Sequence, residues 1–148
     1  MSFKIEFKTK WSDFDANKHM RHTAYNDFAA EARLRFFLAN GYDLASFNKL
    51  QIGPILFKEE TSFYREIGIG QDITVELAMK GYSESGERWK IHHKIIKADG
   101  VVAATIEVYG AWLDLKKRKL CKPPENMTSV FKELPRTPDF ENIPLKNK

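Results

Sequence analysis

Trp11-Ser12-Asp13-Phe14-Asp15-Ala16-Asn17-Lys18-His19-Met20-Arg21-His22 runs straight into Thr23-Ala24-Tyr25-Asn26-Asp27-Phe28-Ala29. Trp11 closes the preceding strand pattern, and the eleven residues from Ser12 to His22 have no hydrophobic period and are rich in turn formers, which predicts a loop. From Thr23 the pattern changes. Tyr25, Phe28, Ala29, Ala32, Phe36 and Ala39 recur at helical spacing. Thr23 is the expected cap, Asp27 is expected in the first turn where the helix dipole favours an anion, and Glu31 can pair with Arg35. Asn40-Gly41 supplies the stop. Leu34, Phe37 and Leu38 make the second half apolar almost all round, which predicts a helix buried on more than one side.

Outward from this stretch the pattern is strand-like. Before it, Phe3, Ile5 and Phe7 alternate with charged residues. After it, a loop is expected through Gly53-Pro54, then a strand around Thr61, Phe63 and Arg65, broken at Gly68-Ile69-Gly70. Ile73, Val75, Leu77 and Met79 form one apolar face, and Trp89, Ile91, His93 and Ile95 another. Asp99-Gly100 is a hairpin signal leading into a long strand from Val101 to about Leu115. Beyond Lys116-Lys117-Arg118-Lys119 lies a short amphipathic piece around Val130, Phe131 and Leu134. Pro135, Pro138 and Pro144 are expected to discourage structure after it. The expected class is α+β: an antiparallel sheet of about five strands wrapped around one long central helix, in a single domain over 1–148 with its core at about 3–115 and an extension at about 116–148. Free sheet edges predict pairing with further copies of the chain, as a homodimer or homotetramer.

Composition narrows the chemistry. The net charge of +4 suits a phosphate-bearing ligand or an acidic partner and is too small to argue for nucleic acid. One cysteine, Cys121, excludes an internal disulfide framework and makes a cytoplasmic setting the default. No run approaches the length of a membrane span, and the start lacks a signal-peptide apolar region. There is no nucleophile elbow, Walker loop or dinucleotide fingerprint.

The loop packs Asp13, Asp15, Asn17 and His19 between a strand end and a helix start. A carboxylate and an imidazole there could act as base or acid, with helix N–H groups at hand for an oxyanion. The competing reading is a turn, where Asp and Asn serve the backbone. A metal held by Asp13, Asp15, His19 and His22 uses suitable ligands but no recognised spacing, so no metal and no cofactor are expected. His92 and His93 point to opposite faces of a strand, and His93 is expected to be a hydrogen-bonded core residue.

At this loop the sequence resembles the hotdog-fold thioesterases of the 4-hydroxybenzoyl-CoA thioesterase and acyl-ACP thioesterase type. In that family a strand ends in an aromatic residue, followed by Asp-x-Asp, a short loop and a Tyr opening the central helix. Here these are Trp11, Asp13-Phe14-Asp15 and Tyr25, and Glu31-Ala32-Arg33 also matches. The resemblance runs from about Phe3 to Leu115. It implies a hotdog fold and hydrolysis of an acyl-CoA or acyl-ACP thioester, with Asp15 as the catalytic carboxylate and a backbone N–H near His22 polarising the carbonyl. In the plant acyl-ACP type, Asp-x-Asn-x-His matches Asp15, Asn17 and His19. A later segment matches at Tyr64-Arg65-Glu66-Ile67-Gly68, which adds Glu66 and replaces a family Cys with Ile67. Tyr25 and His22 are then expected to meet substrate. An enoyl-thioester hydratase and a non-catalytic acyl-binding protein are the alternatives. Hydratases of this fold carry a Pro and a His five residues after the Asp, whereas His19 is four after Asp15 with no Pro between.

Overall fold

The computed structural model describes residues 2–145. Strands β1 (Phe3–Phe7), β2 (Ile52–Phe63), β3 (Ile73–Tyr82), β4 (Arg88–Lys97) and β5 (Val102–Asp114) form a sheet in the order β1-β3-β4-β5-β2, each pair antiparallel. Helix α1 (His22–Ala39) lies in the concave side of the sheet, which is the expected hotdog arrangement. Period-two patterning made this face: Ile73, Val75, Leu77, Met79, Trp89, Ile91, His93 and Ile95 are all buried. Ala24, Ala29 and Ala32 are fully buried on α1, and their small side chains let the sheet approach closely. Below them Phe36 and Phe37 enter an aromatic cluster with Trp112, while Leu38 is exposed. The Asp99-Gly100 hairpin and the Gly41 stop stand where expected, both glycines with positive φ.

The structure departs from expectation in three places. The stretch expected as a loop holds a second helix, α2 (Leu44–Leu50), and Gly53-Pro54 lie inside β2. Asp43 caps α2 by accepting from the Ser46 N–H at 2.7 Å, and Phe47 anchors it between Tyr42 and Trp112. Pro54 is tolerated because β2 is the outer strand. The prolines of the tail do not prevent structure either. After β6 (Lys119–Cys121) and α3 (Met127–Phe131), strand β7 (Arg136–Asn142) runs parallel to the far half of β3. Gly81 admits it, because a Cβ there would stand 2.7 Å from the Glu141 carbonyl oxygen. Phe140 packs edge-on against Tyr82. Finally, α1 begins at His22, so Thr23 is not its cap and Asp27 falls beyond the first turn. The Arg21 side chain straps this end instead, donating to the Ser12 carbonyl and to the Thr23 hydroxyl and reaching Asp27 at 3.7 Å. Lys116–Lys119 stand exposed at the β5–β6 turn.

Candidate active site

The loop between β1 and α1 closes on itself. The Asp15 N–H donates to the His19 carbonyl at 2.9 Å and the Lys18 N–H returns to the Asp15 carbonyl at 3.0 Å, with Lys18 in the left-handed region. The Asp15 side chain completes the turn through one oxygen, Oδ1, which accepts from the Asn17 N–H at 2.9 Å and the His19 N–H at 3.4 Å. Its other oxygen accepts no hydrogen bond among the described residues, and the residue is exposed. Turn chemistry and a free carboxylate oxygen therefore coexist in one residue. Asp13 is different. It is buried, and its Oδ2 accepts from the Lys10 N–H at 2.9 Å, closing the short 3-10 turn Trp11–Asp13.

The segment after β2 lies along this loop. Met20 N–H donates to the Ile67 carbonyl, Ile69 N–H donates to the Lys18 carbonyl, and His19 bridges Gly68. That pairing carries Glu66 to the loop, where its Oε2 stands 3.0 Å from the His19 Nε2. Residues 47 positions apart in sequence are thus neighbours. Their side chains are 41% and 74% exposed, so the pair lies at the solvent boundary and orients the imidazole more than it stabilises the fold.

Tyr25 is buried beneath the loop, edge-on to Phe63 with ring centres 5.0 Å apart. Burial, and then the charge of Glu66, push its phenol above the ordinary range. His22 is exposed at the first helical position, and no side chain caps the helix there. Asn17 is exposed and holds Asp15 by its backbone, not its amide side chain. Sequence reasoning missed Asn26, whose Oδ1 accepts from the Thr61 hydroxyl at 3.0 Å and pins α1 to β2 beside the site. Its only signal was an amide within an otherwise apolar helical face. Among the described residues no three His, Cys, Asp or Glu side chains converge as a metal site. Among them, too, no helix is long and apolar enough to cross a membrane.

Comparison with known proteins fits this geometry. The thioesterase-like superfamily matches residues 9–131. No curated protein matches the sequence. Among solved structures, a Staphylococcus aureus protein in complex with CoA is 22% identical, with a TM-score of 0.83 over 100% of this chain and 89% of its own. A DHNA-CoA thioesterase from Staphylococcus aureus is 16% identical, with a TM-score of 0.80 over 89% of each chain. A 1,4-dihydroxy-2-naphthoyl-CoA thioesterase from Synechocystis is 16% identical, with a TM-score of 0.79 over 90% of this chain and 98% of its own. At these identities the structural likeness carries the fold, and the family match carries the rest. The chain belongs to the thioesterase-like superfamily and is a thioester hydrolase of the hotdog fold.

Proposed function

We propose that the protein hydrolyses acyl-CoA thioesters, with Asp15 as the reacting carboxylate. The observation that carries this reading is the asymmetric state of Asp15. One oxygen is fixed by two backbone N–H groups, and the other accepts no hydrogen bond among the described residues, in the loop that leads into the uncapped start of α1. The solved structures support CoA as the carrier, since one is in complex with CoA and two are named as a DHNA-CoA thioesterase and a 1,4-dihydroxy-2-naphthoyl-CoA thioesterase. The surplus of positive charge favours the phosphates of CoA and equally an acidic carrier protein.

In this mechanism the thioester carbonyl lies against the N–H groups of the first turn of α1, at His22 and Thr23. These stabilise the oxyanion as it develops. Asp15 then acts in one of two balanced ways. Its free oxygen attacks the carbonyl carbon, the C–S bond breaks, and the thiolate leaves and takes a proton from solvent. Water then cleaves the resulting anhydride. Alternatively Asp15 takes a proton from water, the hydroxide adds to the carbon, and collapse of the oxyanion expels the thiolate. His19, held by Glu66, supplies or receives the proton at the loop. Tyr25 and Phe63 form an apolar floor under the reacting group. The protein works as a homodimer or homotetramer, in which a second copy covers the open edge of β2.

Thiol release over a panel of aliphatic and aromatic acyl-CoAs and acyl carrier protein thioesters tests the reading. Release of free thiol with at least one CoA ester is expected. Hydration of an enoyl ester without thiol release, or binding without either reaction, would overturn it.

A further inference from the structure

Helix α1 runs antiparallel to β2. Asn26 meets Thr61 at one end, and Leu34 and Phe37 lie beside Gly53 and Pro54 at the other. Between these elements and α2 opens a cleft of about 350 Å³. Phe37, Phe47, Leu44, Pro54 and Trp89 give it apolar walls. One charged residue lines it, Arg33, on the same helical stripe as Ala30, Leu34 and Phe37.

The guanidinium of Arg33 is short of partners. Its Nη1 lies 3.1 Å from His93 Nε2, and His93 Nδ1 lies 2.8 Å from the Ile106 carbonyl oxygen. A carbonyl can only accept, so His93 carries its proton on Nδ1 and Nε2 is the bare acceptor. His93 is therefore neutral and leaves the arginine's charge unbalanced. Among the described residues no carboxylate stands within ion-pair distance of the guanidinium. Glu59 acts on it only from a distance, and burial pushes the guanidinium pKa down. Charged groups withdrawn from water are normally paired, and this one lines an apolar cleft.

We propose that the cleft takes the far end of the acyl group, and that Arg33 selects acyl groups ending in a second carboxylate. The inference rests on the acyl-CoA hydrolase reading. A carboxylate matches the guanidinium fork in shape and charge and supplies the missing counter-ion. The reach sets the length. Ten residues of helix separate Thr23, where the thioester carbonyl lies, from Arg33, about 15 Å along the axis, which the arginine's reach back along the helix shortens to about 10 Å, roughly the span of an eight-carbon chain. Arginine side chains on a helix lean toward its N-terminus, so the guanidinium stands on the loop side of its own Cα.

The test compares the mono-CoA thioester of octanedioic acid with octanoyl-CoA by thiol release. The wild-type protein should favour octanedioyl-CoA in kcat/KM by roughly tenfold or more. Arg33→Gln, which keeps a donor for His93, should lower that ratio by roughly tenfold or more, chiefly through KM. Arg33→Lys should keep more of the preference than Arg33→Gln. A wild-type preference for octanoyl-CoA would overturn the inference without any variant. So would an unchanged ratio in folded Arg33→Gln, including the case where the variant instead loses self-association in sedimentation, which would assign Arg33 to a second copy of the chain. A binding arm separates this inference from the hydrolase reading. Free octanedioate should raise the melting temperature of the wild-type protein more than free octanoate does. The hydrolase reading falls only if no ester of the wider panel is hydrolysed, and if neither of these two is, the binding arm decides the cleft. The larger octanedioate shift would still uphold the cleft assignment, and equal shifts would overturn it.

Discussion

Asp15 and Asp13 are two residues apart, yet their neighbours give them opposite tasks. Asp13 is consumed by the backbone of Lys10, whereas Asp15 keeps one oxygen free. The Asp15, Asn17 and His19 cluster was legible in the sequence because its contacts span at most four residues. Glu66 became legible only through resemblance, since the pairing that brings it to His19 is long-range. The Arg33–His93 contact was not legible, because nothing local in either stretch announces a partner 60 residues away. His93 itself is the hydrogen-bonded core residue expected. It makes a prediction about pH. Burial first, then the charge of Arg33, push its pKa down to about 3. The unfolded chain therefore binds a proton near pH 6.5 that the folded protein refuses. Stability from this residue is complete above pH 6.5 and is lost as pH falls toward 3. The loss is at most about 1.4 kcal/mol per pH unit. Urea unfolding at pH 6.5 and pH 4.5 should show wild type losing about 2 kcal/mol more than His93→Gln. Equal losses would contradict the buried neutral state.

Elements were legible where a period ran long enough. The strands β3, β4 and β5 and the helix α1 each repeat their pattern over ten or more residues. Helix α2 has only seven, too few for a hydrophobic stripe, and what fixes it is the Asp43 cap and the burial of Phe47. Strand β7 was hidden by Pro138, which an outer strand accommodates. Close strand contact gives a prediction at this scale. A Cβ on Gly110 would stand 2.4 Å from the Ile55 carbonyl oxygen and 2.5 Å from the Trp89 ring, so β2 and the ring would both have to move. Gly110→Ala should cost about 3 kcal/mol or more. Gly100→Ala meets no atom within 4 Å and has only its φ of +88° against it, so it should cost about 1 kcal/mol. Chemical denaturation of the two variants decides the order, and the reverse order would contradict the packing of β2 on β5.

At the scale of the molecule, a helix apolar over most of its surface and a run of amphipathic strands leave one economical answer, a sheet wrapped around the helix. The answer is incomplete at β2. This twelve-residue strand is the outer one, and Leu56, Phe57 and Phe63 along it are exposed. A long apolar edge invites pairing. Sedimentation at micromolar concentration should give a dimer or tetramer, and hydrogen exchange should show protection of the outward-facing amides of β2. A stable monomer with unprotected β2 amides would contradict this. The charges of Lys116–Lys119 stand on an exposed turn whose backbone is held by Asp114, the residue that pairs with the first residue of β2. In the proposed mechanism the loop, the helix start and the Glu66 segment serve one chemistry. That chemistry is tested most directly by steady-state thiol release from the best acyl-CoA substrate by Asp15→Asn. Asparagine keeps an oxygen for the Asn17 and His19 N–H groups, so circular dichroism should be unchanged. Turnover should fall roughly 10²- to 10⁴-fold while KM changes little; near-normal turnover in the folded variant, or a greater loss in folded Asp13→Asn, would contradict Asp15 as the reacting carboxylate.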